Sequence, residues 1–422
     1  MAATTTTIDK ILKFVYTSRA LQNAVYEKNP LFGLLAKQGG FVGRSHIHAL
    51  TYGNSLARSA AFATAQGRAG INGASGTDVG KNLDVNFIVP RVKNYAMYTI
   101  EQEALLASKG DKGAFTAAAT QLIDGTLQTL RNDFGVDVYG DGSGTRGQVT
   151  AVSGAGPFTI TVGEAITQIE VGMTLCASTG STKTALLRSS GATVTVATVN
   201  RSAGTFTIAA QLADPIVAND WLSISGDRPA AAVTNASSLK IAGLDAWNPV
   251  TAPTSGDSFM GGVDRSVDVT RLSGHRLDIS ALQPEEGYIT ALAALAREDG
   301  EPSHIFTSFT DEKNLKLALG SRVDAEYQSV GDIGFESMKI RGPMGPVSVF
   351  ADRNAPVGFG RLLTLSTWEL KHLGDLVNKG DAGGDGGMAR EYQADRFEGR
   401  FSFYGNMVCY APHKNMVVTL PT

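Results

Sequence analysis

Two alternating stretches frame about thirty residues, Gly53 to Asn82, that are rich in Gly and Ala and hold hardly any large apolar side chain. In the first stretch, Gly43 to Tyr52, the residues His46, His48, Leu50 and Tyr52 fall on one face and Ile47 and Ala49 on the other. In the second, Leu83, Val85, Phe87 and Val89 alternate, and the pattern runs past Pro90 to Tyr98. A period of two is that of a strand, so the pair reads as a long hairpin. Burial of apolar area drives folding, and the tip has little to bury, Phe62 being among its few large side chains. The chain must therefore carry a hairpin whose tip something else covers.

The rest of the chain is apolar enough to fill several cores. Of its 422 residues, 43% are hydrophobic and 18% charged; an ordinary soluble domain has about a quarter charged. The length predicts two to three domains at about 150 residues each. Thirty-seven Lys and Arg face 40 Asp and Glu, for a formal charge of -3, without a long run of one sign. That excludes a dedicated nucleic-acid binder held by a basic stripe. Cys176 and Cys409 are too few for a disulfide framework and are not spaced as a zinc site, which points to a reducing compartment. Met1 to Val15 has no apolar h-region, and no run reaches the roughly eighteen residues of a membrane helix. No membrane partner is expected, and the chain reads as made in a cytoplasm. Its 48 glycines cluster at 67–80, 140–156 and 380–387, marking turned backbone.

Residues 1–40 read as an arm that packs on something else. They hold a short amphipathic stretch (Ile8, Ile11, Leu12, Val15), a break at Asn29 and Pro30, and an anchor of Leu31, Phe32, Leu34 and Leu35. Glu101 to Gly140 holds the clearest helix: Phe115, Ala118, Leu122, Ile123, Leu127, Leu130, Phe134 and Val138 form one stripe, opposite Gln121, Asp124, Gln128 and Arg131. At 1.5 Å per residue it is about 36 Å long, enough for the spine of a domain. Gly125 and Gly135 inside it each cost roughly 1 kcal/mol relative to Ala, so packing must hold it.

From Gly147 to Asp227 the composition shifts to Thr, Val, Ser and Gly and repeats itself. Val149 to Val152, a turn, then Phe158 to Ile160 recurs as Val196 to Val199, a turn, then Phe206 to Ile208; each copy ends in a further strand, Met173 to Ala177 and Trp221 to Ser225. Two such copies predict a small pseudo-symmetric β-barrel or sandwich inserted into another domain. Residues 228–387 mix elements. Pro284 to Arg297 reads as a helix with Ile289, Leu292, Ala293 and Leu295 inward, and Thr310 to Leu319 as another. Strands are expected at His304 to Ser308, Val347 to Ala351, Leu362 to Ser366 and Glu369 to Leu373. After a Gly- and Asp-rich loop come Tyr392 to Tyr404, Met407 to Tyr410 and Met416 to Leu420.

Catalytic, cofactor and metal motifs find no support. Gly142 to Gly147 spells G-x-G-x-x-G, but it follows a helix and precedes strands, the reverse of a dinucleotide site, and reads as a flexible inter-domain turn. The same stretch has Arg146 where a calcium loop needs Gly, and Val152 where it needs an acid. His46 and His48 share a strand face without a third ligand nearby, so solvated or interface histidines are the reading. Asp381 and Asp385 sit in a loop of glycines and read as a surface turn. No nucleophile elbow and no His-Glu-x-x-His string occurs. No enzyme activity is expected.

The order of arm, uncovered hairpin, spine helix ending in Tyr139 to Thr145, mixed domain and returning strands resembles the major capsid protein of tailed bacteriophages. The nearest local likeness is Asp395-Arg-Phe-Glu-Gly-Arg-Phe-Ser-Phe-Tyr-Gly-Asn-Met-Val-Cys-Tyr-Ala-Pro412, similar to the last peripheral-domain strands of that family, together with Phe259 to Arg265, similar to the return into its axial domain. The resemblance implies an α+β shell fold with an inserted small all-β domain. On that reading 1–40 is the N-terminal arm and 41–98 the extended loop. Residues 99–146 and 388–422 form the peripheral domain, 147–226 the insert and 227–387 the axial domain. It implies hexamers and pentamers of an icosahedral virion capsid, assembled in the host bacterial cytoplasm around double-stranded DNA that is not read by sequence. Its partners would be a separate scaffolding protein, a portal protein and, optionally, a decoration protein. Inter-subunit contacts are expected at Leu31, Phe32, Leu34, Leu35, His46, His48, Tyr52, Phe62 and Phe87. The loop-lysine to asparagine cross-link of some members is not expected, because Lys81 lies at the base of the loop and Asn406 and Asn415 read as plain strand-end residues. Two other classes compete: a Gly- and Thr-rich surface or fibre protein with adhesive β domains, and an α/β enzyme with an unrecognised site.

Overall fold

The computed structural model describes residues 29–41, 43–68, 81–102, 112–232, 238–319, 328–329, 336–374, 377–379, 389–390 and 394–421. The amphipathic stretch at 8–15 and the Gly- and Asp-rich loop at 380–387 lie outside them. The fold is mixed α+β, built around three apolar cores.

The spine helix runs Lys112–Asp137. Ile123, Leu127, Leu130, Phe134 and Val138 recur at steps of three and four and are buried on one side. Phe134 stacks on Phe32 at 5.5 Å and meets Phe403 edge-on at 4.9 Å. Gly135 is there for approach: a Cβ would collide with the side chains of Asn29 and Asn354, which bond to each other at 2.9 Å. At Gly125 a Cβ would meet nothing within 4 Å.

The helix packs on a sheet whose centre is one long strand, Arg396–Cys409. Val92–Glu101 pairs with it antiparallel from Gly405↔Val92 to Arg396↔Glu101. On its other side lie Trp368–His372 and two short pieces, Asn378–Lys379 and Ala389–Arg390; Ala36–Gly39 runs parallel to Trp368–His372 at the edge. Two expected strands are thus a single one here, and the strand expected in the axial domain near Glu369 belongs to this sheet. Trp368 explains the placement: it is fully buried in the first core beside Leu370 and Cys409.

The second sheet has the order His275–Asp278, Met416–Thr419, Phe359–Leu363, His304–Thr307, Gly345–Ala351, Glu336–Gly342 and Gln328–Ser329. Helices Pro284–Ala296 and Phe309–Leu319 cover it. The last strand of the chain therefore lies here and not with the peripheral strands, because Met416 and Val418 fill this core. On the first of these helices Tyr288, Ala291, Leu292 and Leu295 point inward; Ile289, expected inward, is exposed, one step off that stripe.

Residues 145–224 form their own sheet, ordered Thr145–Gln148, Trp221–Ile224, Thr174–Ala177, Val194–Asn200, Thr205–Ile208, Phe158–Thr161 and Ala151–Ser153. The first and last strands are two halves of one extended stretch. Val149 donates to Asp220 O and Thr150 to Thr161 O, so the path closes into a barrel. The duplication appears as a pseudo-two-fold axis: Phe206↔Ile160, Thr207↔Thr159 and Ile208↔Phe158 pair across one seam, and Leu222↔Ala177, Ser223↔Cys176 and Ile224↔Leu175 across another. Ile160, Val196, Phe206, Ile208 and Leu222 fill the interior.

Candidate inter-subunit surface

Strands Ser45–Gly53 and Leu83–Pro90 make the expected hairpin, with a register shift near Gly53. Period two sends Phe87 and Val89 into the first core, where Phe87 meets Trp247 at 5.3 Å and Phe259 at 6.1 Å. The opposite face carries the cross-strand pair Ile47 and Ile88, 63% and 40% exposed; Leu83, on the Phe87 face, is exposed at the far end of its strand. Beyond the strands, no residue from Asn54 to Arg68 is buried. A seven-residue helix, Phe62–Arg68, sits in this tip and was not expected from the sequence; Phe62 is 80% exposed. Tyr95 and Met97 are also exposed, on the neighbouring strand.

The hairpin base is tied to the sheet by polar contacts. His48 stacks beside Phe87, meets Tyr410 edge-on at 4.7 Å, and has Nε2 3.2 Å from Tyr410 O. Its pKa is lowered chiefly by burial; that of His46 is lowered by burial and then by Lys371, with Glu369 opposing. Lys371 bridges Glu369 at 2.8 Å, and the Tyr410 hydroxyl donates to Glu369 at 2.9 Å. Among the described residues no group of three His, Cys, Asp or Glu could hold a metal ion.

The nine expected contact residues divide. Leu31, Phe32, Leu35 and Phe87 are buried in this chain's own core, and Leu34 packs against it. For the four buried ones the expectation is corrected: their apolar area is already covered from within, against Phe134, Trp247 and Trp368. His46, His48 and Tyr52 are half-buried on the inner face, and Phe62 alone stands open. The outward residues Ile47, Ile88 and Leu56 were missed, though the alternation that placed His46 inward also placed Ile47 outward.

The glycine turn is a packed joint, another correction, because Gly142, Ser143 and Gly144 are all buried. Gly142 and Gly144 have φ of 85° and 77°, and a Cβ would meet Ser238 or the carbonyl of Asp227. Two partly buried ion networks tie the barrel to the rest of the chain, one through a barrel loop and one where the chain enters and leaves it. In one, Asp245 takes Lys183 at 2.6 Å and Arg361 at 2.9 Å, and these cations pull its pKa far down against the effect of burial. The other joins Asp133, Asp137, Arg146, Asp227 and Lys240. Neither was legible, since each draws on positions far apart in sequence.

Lys81 is exposed at the hairpin base. Asn406 is buried: its Oδ1 accepts from the amides of Ala242 and Met407, and its Nδ2 donates to Pro90 O at 2.8 Å. Cys176 and Cys409 are buried free thiols, and burial pushes both pKa values up.

No protein family and no curated protein matches the sequence. Solved structures similar to it include the capsid asymmetric unit of cyanophage A-1(L), 12% identical, covering 93% of this chain and 92% of that one, with a TM-score of 0.49. A structure of Mycobacterium phage Adephagia is 8% identical over 94% and 91%, with a TM-score of 0.43. The procapsid of satellite phage P4, which includes a size determination protein, is 8% identical over 96% and 91%, with a TM-score of 0.41.

Proposed function

We propose that the chain is the structural subunit of an icosahedral phage capsid, arranged as hexamers and pentamers around double-stranded DNA. One observation carries the reading: a long hairpin, anchored through Phe87 and Val89, projects a tip with no buried residue from Asn54 to Arg68 and an outer face bearing Ile47 and Ile88. Such a hairpin gains stability only when a neighbouring copy covers it. Many such contacts per subunit, each modest, add up to a closed lattice. A chain of net charge -3 can enclose DNA without gripping it, since phosphate binding needs clustered cations. The virion is the proposed location and the host bacterial cytoplasm the place of assembly. A scaffolding protein, a portal protein and optionally a decoration protein are the proposed partners. The reading assigns no catalytic role.

Replacing residues 54–82 by a short turn tests it. The variant should remain a folded, soluble monomer by circular dichroism and sedimentation while losing assembly. Normal-sized particles from that variant would overturn the role given to the hairpin.

A further inference from the structure

The second ion network stands where three parts of the molecule meet. Asp133 and Asp137 lie one turn apart at the end of the spine helix, Arg146 is on the strand entering the barrel, Asp227 follows the strand leaving it, and Lys240 lies beyond. The Arg146 guanidinium is 3.1 Å from Asp133, 3.3 Å from Asp227 and 3.7 Å from Asp137. The Lys240 ammonium is 3.0 Å from Asp227, 3.9 Å from Asp137 and 4.0 Å from Asp133. Three carboxyls thus share two cations. Asp137 is the one left over: its side chain is only 3% exposed, it is the farthest of the three from Arg146, and among the described residues its Oδ2 accepts no hydrogen bond.

We propose that these five side chains form a proton-operated joint between the barrel and the spine helix. With a proton on Asp137 the buried charges balance, two against two. Without it, one uncompensated carboxylate sits inside the joint and favours opening to water. Burial, aided by Asp133 and Asp227 and opposed by Lys240 and Arg146, pushes the Asp137 pKa up to about 6. Because this folded value exceeds the unfolded one, the closed joint has its full stability below the unfolded pKa, near pH 4, and loses it as pH rises through about 6. At neutral pH the barrel is then held less firmly than under mild acid.

Amide hydrogen exchange of the full chain, corrected for the intrinsic pH dependence of exchange, tests the joint. Opening at residues 138–149 and 224–231 should rise about tenfold between about pH 5 and pH 7, with a plateau above. Asp137→Asn should abolish that rise. Asp133→Asn, at a more exposed position, frees cation charge for Asp137 and should move the transition to lower pH; it serves as the readout if the first variant does not fold. A flat wild-type profile, an unchanged rise in Asp137→Asn, or an unmoved transition in Asp133→Asn would each overturn the proposal.

Discussion

Asn415 shows how a single polar side chain locks the two main sheets together. It is fully buried, yet its Oδ1 accepts from the Thr364 amide at 2.9 Å and the Trp368 indole at 2.8 Å, while its Nδ2 donates to Thr367 Oγ1 and to Ala411 O. Thr364 follows a strand of the second sheet and Trp368 opens one of the first. Asn415→Leu would strand two donors, the Thr364 amide and the Trp368 indole, in the interior, at about 1–3 kcal/mol each, while Ala411 O keeps the Lys414 amide. Chemical denaturation of the unassembled subunit should therefore show a loss of about 3–5 kcal/mol; a loss under 1 kcal/mol would mean water replaces the amide. The sequence marks apolar stripes by their period, as with Leu127, Leu130 and Phe134. It carries no comparable mark for a polar residue satisfied by partners from distant segments. That is why Asn415 reads in sequence as a plain strand-end residue and the partners of Arg146 and Asp245 stay hidden, while the spine helix does not.

At the scale of elements, the barrel is held by its own core and by ion pairs at its foot. Its two copies are not equivalent in depth: Phe206 is fully buried, whereas Phe158 is half-buried. Residues 145–227 expressed alone should unfold cooperatively. In that fragment Phe206→Ala should cost about 3–5 kcal/mol and Phe158→Ala clearly less. Equal losses would contradict the asymmetry, and a disordered spectrum would contradict the closed barrel. The internal repeat was legible because each copy reproduces its apolar and turn pattern. Closure was not, since it depends on Thr145 to Ser153 serving two neighbours, Trp221–Ile224 with one half and Phe158–Thr161 with the other. The hairpin was legible by its alternation, and its outward apolar face follows from the same period. The fate of Leu31 and Phe32 was not, because an apolar run after a proline reads alike whether its own core or a neighbour receives it.

For the whole molecule, chain order and sheet membership part company. The chain leaves the first sheet after Val92–Glu101, passes through the spine and the barrel, builds the second sheet, returns to the first, and ends in the second at Met416–Thr419. Those returns are long-range pairings that no local pattern announces, so the sequence revealed the parts in order but misplaced two strands. Seven large apolar residues exposed among the described residues lie on the hairpin and its neighbouring strand, Ile47, Leu56, Phe62, Leu83, Ile88, Tyr95 and Met97, and the proposed shell needs them covered at interfaces of about 2,000 Å² or more per subunit. Sedimentation velocity of the purified chain, alone and together with its proposed scaffolding protein, with electron micrographs of the same fractions, tests that coverage most directly. Six- and five-membered rings and closed particles of megadalton mass should form as concentration rises, in one or both of these samples. A single species at the monomer mass throughout both, with no particles on the grids, would contradict the account.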